Sequence, residues 1–427
     1  MKRDPLVLGD NYVLPGDDIG FSRPNGNALI VGTPGSGKTF SIVIPTIGRS
    51  FFSNPIMNFA KENDGYAMSR FLAYLGYSVH ILNTAHPSLS TIAPDPTMSI
   101  ENFEDIDSLS ASIVDVVIKK TSDDYWQAKA KSLLSALIAG TYMLSEANSD
   151  PGILDVLNFF DKLLPTESGN SVETVLDKQF RLLDNACPSC YAVREYNSWH
   201  SLPYKTASCV RDTLASALSA VFPESIREMM KTKPQLDVER FVKNKEALVI
   251  ISDAIDISQQ YYVNIIFRDL MRQLLRYATK CPNGELPREI RFIFDDMACT
   301  APIQGLAHDL SLFRSAGLSA VMFLQSEQQL EAIYKEDAPI IRQNCAVYAY
   351  FPGGFDDKSC ELVSKRMGLP YEDILYAPMG KVFIMQSGRK PVHIARYATL
   401  DSKEYQQYLD ANKLTLQQSK KRHKIRE

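Results

Sequence analysis

The chain has 427 residues, which on length alone suggests two or three domains, and its 45% hydrophobic and 22% charged content is that of a soluble globular protein. Lys+Arg number 46 against 50 Asp+Glu, and the net charge of −4 excludes a uniformly basic nucleic-acid binder while leaving room for a local basic channel. The most apolar runs, NALIV (27–31) and LSAVMFL (318–324), are strand-length and far short of the roughly 18 residues of a spanning helix. The opening MKRDPLVLGDNYVLPGDD has no apolar h-region and no small-residue cleavage site, so no signal peptide is expected and the cytoplasm is the expected compartment. Seven scattered cysteines fit a reducing environment. Cys187-Pro-Ser-Cys190 has C-x-x-C spacing, but no second pair follows at zinc-finger distance, so a structural or incidental role is favoured over metal or redox work.

In chain order, residues 26–95 carry short β-rich runs (ALIVG, PIMNFA, YSVHIL) separated by helical stretches, the texture of βαβ units and a parallel sheet. From about 101 to 222 the texture becomes helical. Apolar residues recur at three- and four-residue spacing from Asp105 to Val117 and from Trp126 to Leu144, and prolines punctuate further helical pieces. β-rich runs resume at EALVIIS (246–252), IRFIF (290–294), LSAVMFL (318–324), CAVYAYF (345–351) and KVFIM (381–385). The expected architecture is one α/β nucleotide-binding domain in two parts, 1–100 and 223–410, interrupted by an all-α insertion at 101–222. A basic polar tail, 411–427, follows and is expected to be disordered.

The most specific signal is NALIVGTPGSGKTF (27–40). Gly32, Thr33, Pro34, Gly35, Ser36, Gly37, Lys38 and Thr39 fit G-x-x-x-x-G-K-[ST] between an apolar strand and a helix starting near Lys38, with Phe40 next. Glycines let such a loop aim successive amides at phosphate oxygens at a helix N-terminus. Lys38 would neutralise the β- and γ-phosphates of ATP, and the Thr39 hydroxyl would ligate Mg²⁺. In IRFIFDD (290–296), two carboxylates close a buried strand: Asp295 is the expected Mg²⁺ partner, and Asp296 stands where many P-loop motors place a water-polarising Glu, one methylene longer. Gln325 ends the 318–325 strand, where an amide can contact the γ-phosphate or the lytic water; a plain loop-facing Gln is the alternative.

With these elements in order, the chain resembles the coupling-protein ATPases of type IV secretion systems, the TraG/TraD family of conjugative transfer. The resemblance spans nearly the whole chain: the P-loop, NFAKEND (58–64), GYSVHILN (76–83), YWQAKAKSLLSALIAG (125–140), KTASCVRDTLASAL (205–218), FIFDDMACTAPI (292–303) and LFRSAGLSAVMFLQSEQQLEAIYKEDAPIIRQNC (312–345). The last is the most family-specific. It implies a RecA-like P-loop NTPase domain with an all-α insertion, assembling as a homo-hexamer with ATP and Mg²⁺ at subunit interfaces. The implied partners are single-stranded DNA, relaxase or relaxosome proteins and the secretion channel. Such rings use an arginine from the neighbouring subunit; Arg314, inside the matching R-x-x-G stretch, is the candidate and Arg342 the rival, with a surface salt bridge as the alternative for either. Asp296 departs from the family's usual Glu, and Asn58 and a missing glycine depart around Lys61. Most members begin with a membrane-spanning segment. The expectation here is either a soluble member brought to the inner face of the cell membrane by a separate membrane-anchor protein, or the soluble part of a longer chain. A nucleotide-gated docking adaptor with little ATP turnover is the alternative function.

Overall fold

The computed structural model describes residues 2–15, 25–117, 125–146, 150–163, 174–252, 257–295, 297, 302–354 and 356–424. The chain divides into two compact units, one of Met1–Ile92, Leu236–Ile255 and Met271–Glu427, the other of Ala93–Gln235 and Asp256–Leu270.

The described strands lie in the first unit: β1 Leu6–Gly9, β2 Tyr12–Leu14, β3 Ala28–Gly32, β4 Ser53–Phe59, β5 Ser78–Asn83, β6 Glu246–Ile251, β7 Glu289–Phe294, β8 Leu318–Leu324, β9 Val347–Phe351, β10 Lys381–Gln386 and β11 Val392–Ala395. β1 and β2 form a hairpin, and the other nine form one sheet in the order β11-β10-β9-β3-β8-β7-β4-β6-β5. From β9 through β5 every pairing is parallel, whereas β10 runs antiparallel to both β9 and β11. β3, β4, β6, β7, β8 and β9 are buried along their whole length. This explains why they read as continuous apolar runs: a parallel sheet carries helices on both faces. The mixed α/β class expected from the sequence is the fold observed.

One face of the sheet is covered by helix Lys38–Gly48, which buries Ile42, Val43, Ile44 and Ile47, and by helix Glu62–Tyr74, which buries Met68, Phe71 and Leu72. Each such side chain contributes about 1.5–3 kcal/mol on leaving water. Helix Lys403–Lys424 packs on the same layer, with Tyr405 edge-on to Phe40 at 5.0 Å between centroids and Tyr408 edge-on to Phe71 at 5.4 Å. Arg49 Nε donates to Glu404 Oε1 at 2.9 Å and Arg70 Nε to Asn412 Oδ1 at 2.9 Å. The segment expected to be a disordered tail is therefore helical as far as Lys424. The contacts that dock this helix stand mostly ahead of that segment, at Glu404, Tyr405 and Tyr408, with Ala411 and Asn412 the docked residues inside it.

The second unit is built of helices, among them Phe103–Val117, Tyr125–Leu144, Val175–Ala186, Tyr191–His200 and Tyr204–Val221. Its central element, Tyr125–Leu144, is buried from Leu133 through Gly140. At Gly140 a Cβ would stand 2.8 Å from the Phe180 ring, so the glycine permits the close approach of Phe180, which stacks on Tyr196 at 3.9 Å. Thr174 and Asp177 form a capping box at the start of helix Val175–Ala186. Among the described residues, no helix is long and apolar enough to cross a membrane.

Candidate nucleotide site

Strand order brings the sequence motifs together. β8 lies between β3 and β7, so the loop after β3, Gln325 after β8 and Asp295 after β7 emerge side by side at the carboxyl edge of the sheet, where open α/β folds bind ligands.

The loop after β3 is shaped by glycines. Gly35 (φ 78) and Gly37 (φ 85) occupy the left-handed region, and Gly37 is the N-cap of helix Lys38–Gly48. At Gly32 a Cβ would meet the Cβ and carbonyl oxygen of Phe351 at 2.7 Å, so β3 and β9 close only around a glycine. Ser36 Oγ donates to the Thr33 carbonyl at 2.7 Å and tightens the turn. The helix ladder opens with Ser41 N–H on the Gly37 carbonyl at 2.8 Å. The amides of Lys38, Thr39 and Phe40 therefore precede the ladder and face outward as anion donors, with no acidic residue in the first turn to compete.

Lys38 folds back over the loop, its ammonium donating to the carbonyls of Gly32 and, at 3.1 Å, of Thr33. The Thr39 hydroxyl donates to Asp295 Oδ1. Asp295 is positioned in turn by its own amide, which donates to the Asn58 carbonyl of β4 at 3.3 Å. Gln325 is held through its backbone, its N–H donating to Gln329 Oε1 at 2.8 Å at the start of helix Glu327–Tyr334. Lys38, Thr39, Asp295 and Gln325 line one cleft of about 420 Å³ with Phe40, Lys61 and Asp64, a size ordinary for a small-molecule site.

The two arginines separate. Arg342 is committed within the chain, its Nη2 2.6 Å and its Nε 3.1 Å from Oε2 of the buried Glu327. Arg314 sits exposed in the last turn of helix Leu306–Ala316, just before β8 begins, at the amino edge of the sheet. Its carbonyl accepts from Arg3 Nη2 at 3.0 Å. Asp296 lies outside the described residues.

Three features escaped the sequence reading. Arg396, directly after β11, places Nη1 3.3 Å from the Ser36 carbonyl, and the same atom would be 2.7 Å from a Cβ at Gly37. The Gly353–Gly354 pair after β9 presses on Thr33, whose methyl would lie 2.2 Å from a Cβ at Gly354. Asp64, in the first turn of helix Glu62–Tyr74, adds a second carboxylate to the cleft. Only the glycine pair carries a local signal, two adjacent glycines closing an apolar strand.

The profile of the family described as type IV secretory system conjugative DNA transfer matches residues 3–369. No curated protein matches the chain in sequence. Among solved structures, the bacterial conjugative coupling protein TrwBdeltaN70 in complex with sulphate is similar at TM-score 0.63 and 16% identity, over 87% of this chain and 85% of that one. The plasmid coupling protein TrwB in complex with ADP and Mg²⁺ is similar at TM-score 0.61 and 16% identity, over 87% and 85%. VirB4 of Thermoanaerobacter pseudethanolicus is similar at TM-score 0.56 and 12% identity, over 93% and 96%. At these identities the likeness is one of fold.

Proposed function

Because the chain belongs to the type IV secretory system conjugative DNA transfer family, we propose that it is the ATP-driven coupling protein of a conjugative system. In this reading it recruits a relaxase–DNA complex and drives single-stranded DNA toward the secretion channel. The observation that carries the reading is the single cleft lined by Lys38, Thr39, Asp295 and Gln325.

The donors suit a nucleoside triphosphate with Mg²⁺. Three amides ahead of the helix ladder, the Lys38 ammonium, the Thr39 hydroxyl and the carboxylates of Asp295 and Asp64 border one cleft. Among the described residues no group of three or more His, Cys, Asp or Glu stands ready to cage a metal. That is the situation Mg²⁺ tolerates, since it is usually held by one or two carboxylates plus phosphates and water. The ADP–Mg²⁺ and ADPNP complexes of TrwB support carrying this chemistry to the present chain. Thr39 and Asp295 would hold the ion, which when bound supplies charge neutralisation on the phosphate oxygens.

This chain's own residues then bind and orient. The loop amides from Gly35 to Phe40 cradle the phosphates, and Lys38 exchanges two loop carbonyls for phosphate oxygens. Gln325 reports the γ-phosphate to helix Glu327–Tyr334 through the Gln329 contact. The helical unit serves as the insertion domain, and an arginine supplied by the next subunit of a homo-hexamer completes each site. With a net charge of −4, the DNA path is a local basic feature of that ring. A separate membrane-anchor protein would hold the ring at the inner face of the cell membrane.

Composite sites make turnover per chain depend on assembly. ATP hydrolysis per chain is expected to rise steeply with protein concentration and further with single-stranded DNA. Turnover that is negligible, flat in concentration and indifferent to DNA would favour the docking adaptor instead. A second expectation concerns Arg396, which braces the loop from outside the cleft. Losing one long, half-buried hydrogen bond from a charged donor costs about 1 kcal/mol. Arg396→Ala should therefore weaken ATP binding about fivefold and leave kcat within about threefold of the parent, as titration with a fluorescent ATP analogue beside turnover assays would show.

A further inference from the structure

The C-x-x-C pair that sequence spacing left without a role acquires a third sulfur in the fold. Helix Val175–Ala186 ends at Cys187, and helix Tyr191–His200 begins at Cys190 as its N-cap. The turn between them is well defined: Ser189 takes φ 54, and its amide donates to Asp184 Oδ1 at 2.9 Å. The amide of Cys190 donates to the Cys187 carbonyl at 3.3 Å, so the turn brings both cysteines to the same end of the helix pair. From helix Tyr125–Leu144, Met143 brings its Sδ to 4.0 Å from the Cys190 Sγ. Cys187 and Met143 are exposed and Cys190 is half-buried, so the cluster is open to solvent.

We propose that Cys187, Cys190 and Met143 form a binding site for a soft monovalent metal ion, with Cu(I) as the ion it fits. Two thiols and a thioether are a soft donor set that selects Cu(I) over oxygen-seeking ions. Metal–sulfur bonds are about 2.3 Å long, so three sulfurs placed trigonally round one ion stand about 4 Å apart. The Cys190–Met143 separation already has that value. Zinc is disfavoured, because it wants four strong ligands and no third His, Cys, Asp or Glu joins the pair among the described residues. Binding forms two metal–thiolate bonds and one dative bond from the thioether. Each thiol releases one proton to solvent, no electron is transferred, and the filled site carries one negative charge.

The test uses the full-length, fully reduced protein without oxygen, titrated with Cu(I) against the coloured chelator bicinchoninate. The parent is expected to withhold one more equivalent of copper than the Cys187→Ser/Cys190→Ser double variant, and Met143→Leu to weaken that equivalent about tenfold or more. The subtraction removes any background from the other five cysteines, and circular dichroism of both variants confirms that the helical unit is intact. Equal copper uptake by parent and double variant overturns the site. An affinity indifferent to Met143→Leu overturns the three-sulfur geometry, and one copper per two chains with metal-dependent dimerisation overturns binding within a single chain.

Discussion

Lys38→Ala is expected to abolish ATP turnover, lowering kcat/KM by about 10³-fold or more. A factor of 10³ corresponds to about 4 kcal/mol of lost transition-state stabilisation, the size expected of a preorganised cation aimed at developing phosphoryl charge. The side chain has a second job, since its ammonium closes the loop onto the carbonyls of Gly32 and Thr33. Those carbonyls border the open cleft, so removing their donor lets water replace it, and the fold should lose under about 1 kcal/mol. Lys38→Met separates the two jobs from bulk packing by keeping the aliphatic stem without the charge. Both variants should show parental circular dichroism and thermal unfolding, weaker ATP binding and no turnover above background. Turnover within about tenfold of the parent in either variant would remove Lys38 from the phosphate site.

The parts of this site that the sequence displayed are those made by neighbours in the chain. From Asn27 to Phe40 a strand, a glycine turn and a helix start occupy 14 consecutive residues, and each constraint is local: φ > 0 at Gly35 and Gly37, then a helix N-terminus. Asp295 and Gln325 were readable because each ends an apolar run of strand length. That they face the same loop depends on β8 lying between β3 and β7, which no periodicity encodes. Arg396 was invisible for a related reason: it follows β11, a four-residue edge strand with half-buried alternate positions, and reaches Ser36 across 360 residues. The N-terminal hairpin escaped although LVLG-DN-YVL carries a turn signal. Asn11 adopts φ 54 there, and Val7 and Leu8 are fully buried. In the last helix, the polar composition from 411 onward suggested disorder, whereas the residues that dock the helix, Tyr405, Tyr408 and Ala411 at three-residue spacing, lie at or before that boundary. Arg342 shows the converse: its motif context invited a catalytic role, and the geometry gives it the buried carboxylate of Glu327.

Arg314→Ala is expected to lower turnover about 10³-fold while leaving ATP affinity close to parental, because in the proposed ring its guanidinium would serve a neighbouring subunit's site and not its own. The position of Arg314 argues for this. It precedes β8, whereas Gln325 follows β8 and borders the cleft; seven strand residues put roughly 20 Å between the two edges. An arginine side chain cannot span that distance, so within one chain Arg314 has no access to the phosphates. Among the described residues its exposed guanidinium has no ion-pair partner, which sets it apart from Arg342. Mixing distinguishes a trans role from a structural one. In a 1:1 mixture of Arg314→Ala and Lys38→Ala chains, random pairing in a ring gives roughly a quarter of the composite sites an intact Lys38 beside an intact neighbouring Arg314. Two inactive variants should therefore regain a measurable share of turnover on mixing at a concentration that assembles the parent, and the regained activity should disappear on dilution. A mixture no more active than the sum of its parts, with assembly confirmed by light scattering, would show that Arg314 does not complete the site in trans.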